Sequence, residues 1–372
     1  MAHAAMPEAK FRAVTIDAEL GIGYGVAISD VDGDGKPDIL LTDAKATAWY
    51  RNPGWEKHRL TGSLTHKDHV CIAARDTDAD GKAEIAVGGE WNPGDTVNSG
   101  AVFALIPPAD RTQVWTSTKL HREPTVHRMN WVREADGRQF LAVLPLHGLN
   151  NKDGAGESIR FLGYRPAKEP DWPTFLINQD FHMAHNFLPI RWNPGDTGES
   201  LLVAEKSGVH LLSQAGEKWT ATRLTDHGSG EVGHGKLPDG NRFIATVEPM
   251  HGNHVAIYPE REKSFATRIV ADDTLNQGHA LVTGDFLGNG SDQVVAGWRE
   301  PGKDGKKVGI RLYVPTTPDG GNWQLHATVD DNTMACEDLK AADLDNDGKP
   351  DLIAAGRATK NLVIYWNETV KP

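Results

Sequence analysis

The 372-residue sequence predicts an all-β fold, a β-propeller of seven four-stranded blades. Three observations support this prediction. One strand pattern recurs seven times, three further strand patterns precede six of these recurrences, and no long helical period competes with them. Repetition of one four-strand unit along a chain is typical of propellers.

The outermost strand of each predicted blade starts with an aromatic residue and then alternates apolar and polar positions, which is the period of a half-buried strand. The first copy precedes any inner strand, and the last unit, residues 337–367, ends without an outer strand. We therefore expect the N-terminal strand to complete the seventh blade, since closure removes open sheet edges. Residues 1–372 are predicted to form one propeller domain, with residues 1–8 as a flexible leader. The seven outer strands are expected to begin at Phe11, Trp55, Trp115, Trp172, Trp219, Phe265 and Trp323.

Composition excludes several classes of partner. A net charge of −12 argues against nucleic acid and anionic membranes as primary partners. With Cys71 and Cys336 as the only cysteines, neither a disulfide scaffold nor a thiolate zinc cluster is expected. A monomer or weak homodimer is expected. The location stays open, with an extracytoplasmic one slightly favoured over the cytoplasm.

Three loops match the pattern D-x-D-x-D-G-x-x-D/E, in which closely spaced carboxylates converge on one hard cation. Because a strand enters and a strand leaves each loop, we expect structural calcium that stiffens a hairpin rather than a substrate site. A fourth copy has Leu287 and Gln293 at acidic positions and is predicted to be a plain turn. The predicted calcium ligands are Asp30, Asp32, Asp34 and Asp38; Asp76, Asp78, Asp80 and Glu84; and Asp343, Asp345, Asp347 and Asp351.

The first residues of the innermost strands are expected to surround one mouth of the propeller channel, opposite the acidic loops. Four blades place a histidine there, and the other three carry Tyr24, Glu231 and Glu337. Imidazoles at one mouth suit a general base or a bound zinc or other divalent metal, for which His127 and His185 are the predicted ligands. The candidate catalytic residues are His127, His185, His147, His251, His279, Arg299, Arg357 and Glu337. The candidate substrate-binding residues are Tyr24, His69, Glu90, Trp91, Lys206, Glu248, Asn253, Trp298, Asp338 and Asn361.

Several longer stretches carry a family resemblance. "EPTVHRMNW", "RFIATVEPMHGN" and "ACEDLKAADLDNDGKPDLIAAGRATKNLVIYWN" resemble the propeller domain of the aldos-2-ulose dehydratase family and related FG-GAP-repeat proteins. The resemblance implies a seven-bladed propeller, structural divalent ions and metal-assisted dehydration of keto-sugars such as 1,5-anhydrofructose or glucosone.

The leading hypothesis is therefore a carbohydrate lyase acting on a small sugar or an oligosaccharide. Arg299 and Arg357 would hold anionic or enolate oxygens, and histidines would act as metal ligands or base. Glu337 or Asp338 would orient a histidine or shuttle protons. Two alternatives stay open. One is a polysaccharide lyase that cleaves uronate-containing glycans, and the other is a non-catalytic carbohydrate- or protein-binding FG-GAP propeller.

Overall fold

The computed structural model describes residues 6–168, 171–301 and 307–370, and in these residues it contains β-strands and no α-helix. The strands form seven four-stranded antiparallel sheets, which confirms the predicted seven-bladed propeller. The chain divides into two compact units, a first unit of residues 1–22 and 231–372 and a second unit of residues 23–230. Among the described residues, no helix has the length and apolarity needed to cross a membrane.

The second unit contains blades one to four, each with its strands in sequence order from the innermost to the outermost. Blade one is β2 (Gly23–Ser29), β3 (Asp38–Asp43), β4 (Thr47–Arg51) and β5 (Glu56–Thr61); blade two is β6 (Cys71–Arg75), β7 (Glu84–Gly89), β8 (Ala101–Ile106) and β9 (Thr116–Lys119); blade three is β10 (Val126–Arg133), β11 (Gln139–Pro145), β12 (Phe161–Tyr164) and β13 (Thr174–Asn178); blade four is β14 (Ala184–Ile190), β15 (Ser200–Glu205), β16 (Gly208–Ala215) and β17 (Lys218–Arg223).

The first unit contains blades five to seven, and its last blade takes its outer strand from the N-terminus. Blade five is β18 (Glu231–Lys236), β19 (Arg242–Glu248), β20 (His254–Pro259) and β21 (Ile269–Asp272); blade six is β22 (Gly278–Gly284), β23 (Gln293–Trp298), β24 (Gly309–Pro315) and β25 (Trp323–Asp331); blade seven is β26 (Cys336–Ala342), β27 (Asp351–Gly356), β28 (Leu362–Asn367) and β1 (Phe11–Asp17).

The hydrophobic core lies between neighbouring blades. The second strand of each blade, such as "DILLTD", is a nearly continuous apolar run because neighbours cover both of its faces. In the first unit, Phe243 of blade five packs edge-to-face on Trp323 of blade six, with ring centroids 5.1 Å apart. Burying one such aromatic side chain stabilises the fold by about 2–3 kcal/mol.

Four outer strands begin after the predicted aromatic residue, and the strand of blade five differs most. The aromatic residue Phe265 was expected to open the strand of blade five, but β21 begins at Ile269. Arg261 and Ser264 close a turn through two main-chain hydrogen bonds, so the backbone is not yet extended at Phe265. The ring is still only 3% exposed, which explains why the sequence pattern marked it.

The N-terminal strand β1 pairs antiparallel with β28, with Phe11 opposite Asn367. Of the predicted leader, residues 1–5 lie outside the described residues. Pro7, also within that leader, accepts a hydrogen bond on its carbonyl from Nε2 of His326 at 2.9 Å. The assignment of residues 1–372 to one domain stays a prediction.

Candidate functional site

Five blades carry their candidate side chain on the same backbone irregularity. At the start of the innermost strand, the pairing with the second strand shifts by one residue, so one residue is left over. Such a bulge removes the extra residue from the ladder and turns its side chain away from the ordinary alternation. The residues left over are Tyr24, His127, His185, His279 and Glu337.

The three bulge histidines share one hydrogen-bond pattern. Nδ1 of each donates to a main-chain carbonyl further along the chain, which fixes the tautomer and leaves the lone pair on Nε2. Histidines that act as bases or metal ligands adopt this arrangement. The bonds run from His127 to the carbonyl of His185 at 2.8 Å, from His185 to that of Gly230 at 3.0 Å, and from His279 to that of Glu337 at 2.6 Å.

In the first unit, five predicted residues form one group, the His279 cluster: His251, His279, Arg299, Glu337 and Arg357. The Glu337 carboxylate accepts hydrogen bonds from Nη1 of Arg299 at 2.8 and 2.9 Å and from Nη1 of Arg357 at 3.0 Å. The His279 Nε2 lies 3.9 Å from that carboxylate, and both side chains are 3% exposed. Two guanidinium groups thus share one buried carboxylate beside an imidazole.

His251 reaches the His279 cluster from the loop after β19. Its backbone lies in the left-handed region, with φ of 54°, and its ring stacks on His279 with centroids 4.8 Å apart. Such a backbone conformation is uncommon for a residue other than glycine and is found more often at functional sites. The stacked ring fixes the plane of the His279 imidazole.

A second group, the His127 cluster, lies in the second unit and contains Trp91, His127, Arg128 and His185. The His127 ring packs between Trp91, with centroids 4.8 Å apart, and His185, with centroids 4.5 Å apart. Arg128 donates from Nη1 to Nε2 of His127 at 3.2 Å. An indole beside polar groups is a common platform for a sugar ring.

His127 does not fit the predicted zinc site as the side chains lie. A zinc ion needs the Nε2 lone pair, but that nitrogen accepts a hydrogen bond from a guanidinium group whose positive charge would oppose the ion. His185 has the tautomer that a metal requires. The predicted pair His127 and His185 is therefore only half suited to a divalent metal.

Tyr24 and His69 are engaged within the second unit. The Tyr24 hydroxyl donates to Asp68 at 3.0 Å, and Lys45 pairs with the same carboxylate at 3.2 Å. Nε2 of the fully buried His69 accepts the main-chain N–H of Leu64 at 3.0 Å. Burial, together with the positive charge of Lys45, lowers the pKa of His69 to about 4. Its geometry is that of a structural histidine.

The lowered pKa of His69 predicts a loss of stability in acid. Because the folded pKa of about 4 lies below the ordinary value of 6.5, the unfolded chain binds the proton first, and the contribution is lost as the pH falls from 6.5 towards 4. Between pH 7 and pH 5 the loss is about 2 kcal/mol. Urea unfolding at both pH values should show a smaller pH dependence for His69→Gln than for wild type. Equal dependences would contradict the assignment.

Five predicted binding residues are bonded within their own unit. Glu248 accepts hydrogen bonds from Thr246, Tyr258 and Arg268, which hold both of its buried oxygens inside blade five. These contacts argue against a substrate role for Glu248. The other four also serve local structure: Asn253 donates to Asp273, Trp298 donates to Lys307, Asp338 pairs with Lys340, and Asn361 donates to Thr333.

The remaining candidates lie in the loops of the second unit. Glu90 accepts the main-chain N–H of His66 at 3.1 Å, and Lys206 donates to the carbonyl of Asp153 at 2.6 Å. His147 is buried, which lowers its pKa, and its main chain exchanges two hydrogen bonds with Thr125. His147 and Lys206 thus lie with the long loop at 147–157, and neither belongs to the His127 cluster.

The acidic loops bring their carboxylates together as expected for a cation site. Donor atoms within each of three groups lie within 4.8 Å of one another. Burial raises the pKa of Asp38 to about 7 and that of Asp351 to about 6, and the neighbouring carboxylates of each loop add to the rise. Such all-oxygen donor sets fit calcium. The groups are Asp30, Asp32 and Asp38; Asp76, Asp78 and Glu84; and Asp343, Asp345 and Asp347.

Three predicted ligands, Asp34, Asp80 and Asp351, are not in these groups. Asp351, like Asp38 in the first loop, accepts two main-chain N–H groups with its oxygens, here those of Leu344 and Asn367. In the fourth loop the amide Gln293 makes the equivalent bond to Leu287. The ninth position of these loops therefore braces the turn, and an amide can replace the acid there.

Sequence reasoning missed three residues that hold the candidates in place. Gln277 accepts from Nε of Arg299 at 3.2 Å, Asp68 accepts from Tyr24, and Arg128 donates to His127. Arg128 follows the candidate His127 in the sequence, and Asp68 precedes the candidate His69. That adjacency is the signal by which they could have been found. Gln277 gave none except its place just before the inner strand.

Two parts of the chain match models of known protein families. Residues 99–261 match the family model of the aldos-2-ulose dehydratase β-propeller domain. The dehydratase match includes His127, His185 and His251 and ends before His279. Residues 30–87 match a model of FG-GAP-like repeats. No curated protein sequence matches the chain.

Solved structures share the fold at low sequence identity. A crystal structure of BBS1N in complex with ARL6DN, soaked with lead, is 11% identical with a TM-score of 0.57, over 100% of this chain and 99% of that one. A chain of the mitotic checkpoint complex is 9% identical with a TM-score of 0.61, over 100% and 95% of the two chains. At such identities the likeness concerns the fold alone.

Proposed function

We propose that the chain is a carbohydrate lyase that removes the proton next to a carbonyl group and expels the β-oxygen, dehydrating a keto-sugar. The observation that carries the proposal is the His279 cluster, in which an imidazole of fixed tautomer lies beside two arginines that share one buried carboxylate. The match to the dehydratase propeller supports the same chemistry.

His279 is the proposed base. Its Nε2 takes the proton from the carbon next to the carbonyl, and the electron pair moves onto the carbonyl oxygen. N–H groups of Arg299 and Arg357 stabilise the resulting enolate oxygen, because positively charged donors held beside the reacting group favour the negative charge that develops there. The electron pair then returns to form the double bond and breaks the bond to the β-hydroxyl. The His279 imidazolium protonates that hydroxyl, and water leaves.

The metals have separate proposed roles. Zinc or another divalent ion, when bound, would polarise the carbonyl as a Lewis acid. Only His185 of the predicted pair suits such an ion, so the proposed steps use the chain's own side chains. Calcium in the three acidic loops is proposed to stabilise hairpins.

Removal of calcium is expected to lower stability. An ion that binds only the folded chain adds about 2.7 kcal/mol per site at a free concentration of 100 times its Kd. Thermal melts should therefore shift upward with calcium relative to EGTA, and Asp343→Asn should reduce the shift. Asp285→Asn in the fourth loop is the matched control and should leave it unchanged. Identical melts with calcium and EGTA would contradict the proposal.

The activity is tested by offering purified protein 1,5-anhydrofructose, 3-keto-glucosides and uronate polymers and recording ultraviolet absorbance. An enone from either of the first two would support dehydration. Unsaturated uronate ends alone would favour the polysaccharide lyase and overturn the keto-sugar assignment.

A non-catalytic binding propeller is the second candidate, and the FG-GAP match at residues 30–87 is the observation that favours it. That match covers two acidic loops and not the His279 cluster. Absence of product from every substrate, with binding of one of them, would support this candidate.

A further inference from the structure

A separate cleft lies in the second unit, at the end of blade four where β15 turns into β16. Its volume is about 710 Å³, within the range of small-ligand sites. The buried ring of Phe181 and the side chain of Ala221 supply apolar lining. The side chains of the lining that can bond a ligand are Asp180, His182, Glu205, Lys206, Ser207, His210 and Arg223.

Two cations of the cleft are held in place without being neutralised. Lys206 donates from Nζ to the carbonyl of Asp153 at 2.6 Å, and Arg223 donates from Nε to the carbonyl of Thr225 at 2.9 Å and from Nη2 to the carbonyl of Ser207. Carbonyl groups orient these side chains but carry no formal charge. In the described part of the second unit, neither cation has a carboxylate partner.

Arginines of the same unit show two arrangements. Arg59, Arg111 and Arg122 are held by main-chain carbonyls as Arg223 is, whereas three others pair with carboxylates. Arg75 pairs with Glu199, Arg160 with Glu123 and Arg165 with Glu134, all at 2.5–2.8 Å. Those guanidinium charges are already compensated inside the protein. Lys206 and Arg223 keep theirs, and each retains N–H donors beyond the ones that the carbonyls use. The carboxylates of Asp180 and Glu205 also line the cleft, so Lys206 and Arg223 can hold an anionic group while the acids accept hydrogen bonds from hydroxyl groups.

The base of the cleft can bind hydroxyl groups. Buried Glu205 accepts a hydrogen bond from Ser207 Oγ and lies 2.9 Å from Nε2 of His210, whose ring packs edge-on against Phe181 with centroids 4.9 Å apart. Burial alone would raise the pKa of Glu205, but the bonds from His210 and Ser207 outweigh it and lower the pKa. A carboxylate, a hydroxyl and an imidazole side by side can both accept and donate.

We infer that this cleft binds a small hydroxylated carboxylate, a sugar acid such as glucuronate. Lys206 and Arg223 hold the carboxylate, and Glu205, Ser207 and His210 bond the hydroxyl groups. Phe181 covers an apolar face of the sugar ring. The site is independent of the proposed lyase reaction, because none of these residues belongs to the His279 or His127 cluster.

Calorimetry with glucuronate on the full chain tests the site, with glucose and inorganic phosphate as comparison ligands. We expect glucuronate to bind with a Kd of about 1 mM or lower. Lys206→Ala and Arg223→Ala should each weaken binding by about tenfold or more, the usual worth of a charge-assisted hydrogen bond. Glucose, which lacks the charge, and phosphate, which lacks the ring, should bind at least about tenfold more weakly.

Arg59→Ala is the matched control. Arg59 in blade one makes the equivalent bond, from Nε to the carbonyl two residues on, at 3.2 Å. Its loss should therefore disturb a strand end as Arg223→Ala does, without touching the cleft. Unchanged glucuronate binding in Arg59→Ala supports the site. No glucuronate binding, equal binding of glucuronate and phosphate, or equal weakening of glucuronate binding by all three variants would overturn it. Circular dichroism is used to check that each variant is folded.

Discussion

Replacing His279 with alanine is expected to lower the dehydration rate at least about a hundredfold, the usual contribution of a positioned general base. The imidazole is 3% exposed and its Nδ1 is committed to the carbonyl of Glu337, so Nε2 is the basic atom of this ring. The measurement is kcat from enone absorbance, with 1,5-anhydrofructose as substrate. The loss should fall on kcat rather than on KM, because the base acts on the reacting proton.

His326→Ala is the matched control for His279→Ala. His326 lies on the outer strand β25 of the same unit, and its Nε2 is bonded to the carbonyl of Pro7. The control should keep the wild-type kcat. If His279→Ala keeps it as well, while remaining folded, His279 is not the base.

The second large effect is expected for stability. Glu337→Gln should lower the free energy of unfolding by roughly 3 kcal/mol, because it removes the buried negative charge to which the nearly buried Arg299 guanidinium is bonded. The carboxylate is 3% exposed and the Arg299 side chain 11%. Urea unfolding at pH 7 measures the change.

Glu368→Gln is the control for that change. Glu368 pairs with Lys10 and Arg12 at a more open position, with the carboxylate 34% exposed, so its loss should cost less than about 1 kcal/mol. Equal losses in the two variants would show that the Glu337 pairs contribute no more than surface ion pairs.

Most of the fold could be predicted from the sequence because each blade repeats the same physical requirements. The second strand must be apolar on both faces, which gives a continuous apolar run. The outer strand must be apolar on one face, which gives an alternation of apolar and polar residues, and both patterns are visible in the sequence. Strand ends were less predictable. At Phe265 the aromatic residue packs into the core before the strand begins, since burial and strand pairing are separate requirements that the pattern cannot distinguish.

The positions of the candidate residues could be predicted from the sequence more readily than the groups to which their side chains are bonded. Equivalent positions in the repeat identified His127, His185, His279 and Glu337, and each is the extra residue of a bulge. The sequence does not show whether a side chain at a loop end faces its neighbours or a ligand. For that reason the sequence could not predict that Glu248 and Trp298 are bonded inside their blades. The shared pairing of Arg299 and Arg357 with Glu337 is likewise visible only in the structure.

Loss of hydrogen from the carbon next to the carbonyl of 1,5-anhydrofructose tests the proposed chemistry most directly. The substrate is incubated with the protein in deuterated buffer and followed by proton magnetic resonance. Wild-type protein should remove that hydrogen and form an enone, whereas His279→Ala should match buffer alone. A wild-type rate equal to that of buffer, or equal rates in wild type and His279→Ala, would contradict proton abstraction by His279.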